Sequence, residues 1–131
     1  MPRIFWLLLT ISSLAESLFI PFLNNANKLY QHRFGFSNVR AGDILVVPYM
    51  SAALFTPFLG IYMSFKGSRA KYILMGTFVF LITHLSFAML PNCLNECVIS
   101  VFPLVLLGLS FAFFASVIMP SIPIFIDDER V

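Results

Sequence analysis

Residues 44–63 read ILVVPYMSAALFTPFLGIYM, 20 residues in succession without a charge. A helix rising about 1.5 Å per residue carries such a stretch across roughly 30 Å, the depth of a bilayer's hydrocarbon core. Three more stretches have similar length. One runs from Ile4 to Leu23, interrupted by Glu16 and stopped by Asn24-Asn25. Another runs from Tyr72 to Leu90 and ends at Pro91-Asn92. The last starts at Val98 and stays apolar to Ile126, with Pro120 and Pro123 expected to end regular helix near residue 119. Backbone groups in hydrocarbon must be bonded within their own segment, so the reading is an all-α membrane protein of four transmembrane helices, spanning about 4–23, 44–63, 72–90 and 98–119. Polar connections are expected at 24–43, 64–71 and 91–97, giving an up-down-up-down arrangement in one domain over 1–131.

Composition agrees with lipid as the solvent. Of 131 residues, 60% are hydrophobic and 11% charged, 16 are Phe, and the mean hydropathy is +0.93. Soluble domains have about 45–50% apolar and about a quarter charged residues, and a chain this short cannot hide so much apolar surface in one core. A net charge of +2 and the lack of a basic tract with interleaved aromatics argue against nucleic acid as a partner. Lys66, Arg69 and Lys71 fall in the second connection, with Arg3 and Arg130 at the ends; the opposite side has only Lys28, Arg33 and Arg40. This asymmetry puts the second connection and both ends in the cytosol. A rival reading of the first stretch is a secretory signal peptide cleaved after Ser13-Leu14-Ala15, but the apolar run resumes at Leu18 and continues to Leu23.

Glu16 is the one acid within a span, about 4 Å from its midpoint. An ionised carboxylate in lipid is costly and ordinarily faces protein or an aqueous cavity. Thr10, Ser13, Glu16, Ser17 and Asn24 share an arc of about 120° on this helix. Two readings follow, a cavity wall where Glu16 meets a cation or a proton, and a helix-packing face. His84 is a candidate proton relay or a hydrogen-bonded core histidine; no ligand spacing surrounds it, and neither a metal site nor a cofactor is proposed. Ala52, Thr56, Gly60 and Ser64 recur at steps of four, as do Gly108, Ala112 and Ser116, the small-residue pattern that lets membrane helices approach closely. Pro48, Pro57, Pro103 and Pro120 are expected to bend their helices. Cys93 and Cys97 are either a lumenal disulfide or two thiols. No phosphate-cradling loop or nucleophile triad points to an enzyme.

The run from Gly60 to Arg69 resembles the loop signature of the major facilitator superfamily, with Gly60, Gly67 and Arg69 kept, Ser64 in place of its Asp and Phe65 in place of a basic residue. The order of Phe19-Ile20-Pro21-Phe22, Lys28, Phe34-Gly35-Phe36-Ser37, Tyr49-Met50-Ser51-Ala52, Pro57-Phe58-Leu59-Gly60, Leu107-Gly108-Leu109-Ser110 and Met119-Pro120 is similar to the first four helices of the carboxyl-terminal half in the lysosomal dipeptide transporter branch. Asp127-Asp128-Glu129 stands where that branch has Pro-Glu. The resemblance implies secondary transport by alternating access, export of small dipeptides from the lysosome, and a glycosylated lysosomal membrane partner. It implies a gating loop at Gly60, Ser64, Lys66, Gly67 and Arg69, and substrate contacts at Glu16, Ser13 and Ser17. Such a site lies between two halves, so the chain is expected to be a partial one that lacks the amino-terminal half. The alternative is a self-contained four-helix membrane scaffold or assembly subunit without transport.

Overall fold

The computed structural model describes residues 3–67, 69–92 and 96–127; Cys93, Asp128, Glu129 and Arg130 lie outside the described residues. Five α-helices follow one another: α1 (Arg3–Phe34), α2 (Asn38–Ile44), α3 (Val47–Lys66), α4 (Arg69–Met89) and α5 (Val101–Asp127), the last preceded by a 3-10 turn at Val98–Ser100. No strand occurs among the described residues. Three helical stretches, Asn38–Lys66, Ala70–Met89 and Val98–Ile118, are long and apolar enough to cross a membrane. Large apolar side chains such as Leu54, Phe58, Leu74, Phe78 and Phe102 cover their outer surfaces. The chain is an all-α membrane protein, its surface matched to hydrocarbon.

The segment expected as a loop from residue 24 to 43 is almost wholly helical. α1 passes through Asn24-Asn25 without interruption and ends at Phe34. Asparagines are weak helix formers, but one apolar face continues beneath them, through Phe19, Leu23, Ala26, Tyr30 and Phe34, all buried. Gly35 then takes a left-handed conformation at φ 69° and turns the chain. Ser37 caps α2, its hydroxyl accepting from the Arg40 N–H.

The prolines also depart from expectation. α5 runs as helix through Pro120 and Pro123 to Asp127. Each proline removes one backbone hydrogen bond, and the helix continues past both. Pro48 and Pro103 lie in the first turns of α3 and α5, where the missing N–H costs nothing.

The main packing partners are not all consecutive helices. α5 packs between α3 and α4 and also touches α1. Half of its spanning stretch is buried, against 22% for α4 and 11% for α3. α3 and α5 run parallel with their small residues facing. A Cβ placed on Gly108 would overlap the Ser51 hydroxyl and the Pro48 carbonyl oxygen. One turn on, Ala112 is fully buried, and a further turn on the Ser116 hydroxyl donates to the Thr56 carbonyl at 3.1 Å. On the other side of α5, a Cβ on Gly76 of α4 would lie 2.9 Å from the Phe113 Cβ.

Gly108→Ala is expected to destabilise the helix packing by about 1–3 kcal/mol through overpacking. Gly60→Ala, with nothing within 4 Å of the added carbon, is expected to be neutral or to stabilise by up to about 1 kcal/mol. Unfolding in detergent micelles, followed by circular dichroism, checks both.

Candidate functional site

The polar arc of α1 points away from the other helices. Thr10, Ser13, Glu16, Ser17 and Asn24 are all exposed. Two of the arc's hydroxyls are turned inward on the helix: Thr10 donates to the Trp6 carbonyl at 2.8 Å and Ser17 to the Ser13 carbonyl at 2.6 Å. Glu16 differs, for its carboxylate has no hydrogen-bond or ion-pair partner among the described residues. Ser13, Glu16 and Ser17 do come together, lining one shallow hollow with Ile20 and Pro21.

The other edge of Glu16 borders α5. α1 touches α5 where the Phe19 ring stacks on Phe111, centroids 4.6 Å apart and planes 21° from parallel. Toward the start of α1 the helices part, leaving a cavity of about 250 Å³ whose walls include Ile11, Leu14, Phe80, Phe111 and Phe114. Its two hydroxyl-bearing residues are spent locally, Thr77 donating to Ile73 and Ser110 to Leu107. A smaller cavity of about 60 Å³ adjoins, lined by Glu16, Ala115 and Ile118 and sharing Phe111 and Phe114 with the first.

At the end of the molecule bearing Lys66, the Gly67 residue closes α3 in a left-handed cap, φ 69°, its N–H donating to the Met63 carbonyl at 3.0 Å. Lys66 extends its ammonium over the Tyr62 ring, 5.0 Å from the centroid. Gly60, Ser64 and Gly67 face Ser116, Val117 and Pro120 of α5 across a cavity of about 220 Å³. Arg69 begins α4, and its side chain lies outside the described residues.

The opposite end is knitted by polar contacts that no sequence motif announces. The Arg33 guanidinium donates to the carbonyls of Ala88 and Leu90 at 3.2 and 2.6 Å and to Asn92 Oδ1 at 3.1 Å. A cation here meets the unpaired carbonyls and the negative dipole end of α4. Tyr30, fully buried, donates its hydroxyl to the Ser100 carbonyl at 2.6 Å. Burial raises its pKa well above the ordinary phenol range. Arg40 pairs with Glu96 on the surface, and the Cys97 N–H donates to the Phe34 carbonyl at 3.3 Å. Cys97 is disulfide-bonded; the chain's other cysteine is Cys93. His84 bonds its Nδ1 to the Phe80 carbonyl at 3.0 Å and lies against the Phe22 and Phe80 rings, the arrangement of a core histidine.

Arg33 and the crevice walls Phe80, Phe111 and Phe114 are the functional candidates that sequence reading missed. The buried spacing of Tyr30 and Phe34 on α1 was the available signal for the first. Nothing in a run of phenylalanines distinguishes those beside a gap from those facing lipid. Compared with protein-family models, curated proteins and solved structures, the chain matches none.

Arg33→Ala is expected to cost about 1–3 kcal/mol of stability, since three charge-assisted bonds are lost. Arg40→Ala is expected to cost less than about 1 kcal/mol, its pair with Glu96 being solvent-screened. Chemical unfolding of the two variants in the same detergent gives the comparison.

Proposed function

We propose that the chain forms part of a secondary transporter of the major facilitator type, one that exports small peptides such as dipeptides from the lysosome by alternating access. The observation that carries this reading is Glu16: an unpaired carboxylate, exposed on a serine-bearing face, halfway along an apolar stretch. A lone charge in hydrocarbon is tolerated where it meets water, substrate or another helix bundle. The face holding it is exposed. A second set of helices seated there would convert the shallow hollow of Ser13, Glu16 and Ser17 into a closed central cavity, with Glu16 attracting a substrate amine.

In this reading the cytosolic gate is the stretch from Gly60 to Arg69, which ends α3, turns at Gly67 and begins α4, with Gly60, Ser64 and Gly67 facing the end of α5. Ser64 lacks the carboxylate that would lock a basic partner, so the gate of this chain closes without that ion pair. The lysosomal location and the glycosylated membrane partner rest on the family resemblance. The scaffold alternative draws its adhesive surface from the small-residue stripes. Much of that surface is used within the chain, Gly108 lying against Ser51 and Ser116 bonding Thr56.

Uptake of cationic dipeptides by the complete transporter in proteoliposomes tests the role of Glu16. Glu16→Gln is expected to lower the rate by about tenfold or more, as losing a charge partner in a water-poor site does. An unchanged rate would mean that Glu16 does not contact substrate.

A further inference from the structure

The crevice between α1 and α5 joins two unlike environments. Its larger cavity, about 250 Å³, presents apolar carbon and four phenylalanine rings, those of Phe19, Phe80, Phe111 and Phe114. The smaller cavity beside it shares Ala15, Phe111 and Phe114 and has Glu16 in its wall. No Lys, Arg or His lines either one. The hydroxyls of Thr77 and Ser110 already donate to backbone carbonyls of their own helices, so the larger cavity has no spare donor.

We propose that this crevice binds an organic monocation with an apolar, ring-sized body. The ammonium meets the Glu16 carboxylate, and the body lies among Phe80, Phe111 and Phe114. Size supports this occupant. An apolar cavity of about 150 Å³ takes benzene, so the larger space here accommodates a ring with a short alkyl arm. Charge supports it as well, because a carboxylate with no protein partner among the described residues gains most from a ligand that supplies the cation. The aromatic faces add cation–π attraction along the path of the ammonium. A carboxylate on the ligand finds no counter-charge in the crevice. The inference deepens the transporter reading by assigning this chain the amine and side-chain half of the site, and leaves a peptide's carboxyl end to groups elsewhere.

The test uses the purified 131-residue chain in nanodiscs of neutral phosphatidylcholine, with empty nanodiscs as the partition control. Radiolabelled 2-phenylethylamine is expected to bind saturably above that control. Its neutral isostere 2-phenylethanol and the zwitterion phenylalanine are expected to bind about tenfold more weakly or worse, for want of charge in one and through the unpaired carboxylate in the other. Glu16→Gln, an exposed and nearly isosteric change, is expected to weaken amine binding by about tenfold while keeping the unfolding midpoint. Ala115→Leu, which fills the smaller cavity without removing the charge, is expected to weaken it too. Amine binding that is not saturable, that survives Glu16→Gln undiminished, or that the alcohol matches would overturn the proposal; the last result would mean an apolar slot for lipid chains. Dipeptide transport by the complete protein that depends on Glu16, with no amine binding by this chain, would sink this inference alone. Amine binding without dipeptide transport would remove the transporter reading and leave the site.

Discussion

The close approach of α5 to the backbones of α3 and α4 is the constraint on which the other contacts depend. In lipid there is no hydrophobic force drawing one apolar helix to another, and association rests on dispersion and interhelical hydrogen bonds. Both need short distances. Gly108 brings α5 onto the Ser51 hydroxyl and Pro48 carbonyl of α3, and Gly76 brings α4 onto the backbone and Phe113 of α5. With those separations set, Ser116 reaches Thr56, and Leu104, Leu107 and Val117 are enclosed. α1 is held differently, through its buried apolar face and the polar contacts of Tyr30 and Arg33 at one end.

That difference in attachment explains where a site can exist. α1 is pinned from Phe19 to Phe34 and stands off α5 before that, so the gap opens beside Leu14, Ala15 and Glu16. Hydroxyls along the helices bond back one turn, as Thr10, Ser17, Thr77, Thr83 and Ser86 all do. Such groups ask nothing of their surroundings. Glu16 does, and it is the residue bordering both the outer hollow and the inner crevice.

Much of this architecture was legible in the residues. Uncharged stretches of bilayer length marked the helices, and the steps of four in Ala52, Thr56, Gly60 and Ser64 and in Gly108, Ala112 and Ser116 marked faces that meet at Thr56 and Ser116 and part at Gly60 and Ser64. The end of α1 was misread because Asn24-Asn25 resembles a stop signal, while the deciding feature is the buried row of Ala26, Tyr30 and Phe34, whose partners lie far away in sequence. Pro120 and Pro123 misled in a similar way, because a proline disfavours helix without forbidding it, and α5 continues past both. The polar arc holding Ser13, Glu16 and Ser17 could be drawn from helical geometry alone. Its exposure could not, since that depends on which side of α1 the later helices choose, and the crevice depends on a splay between α1 and α5 that no local pattern encodes.

The central place of α5 also bears on how the molecule is made. α5 is the last of the five helices to be synthesised, and the partners of Arg33 are 55 and 57 residues downstream of it. α3 and α4, which touch each other little, therefore enter the bilayer as separate, self-sufficient cylinders and wait, stable to lipid but loosely associated, until ribosome and translocon deliver the element that gathers them.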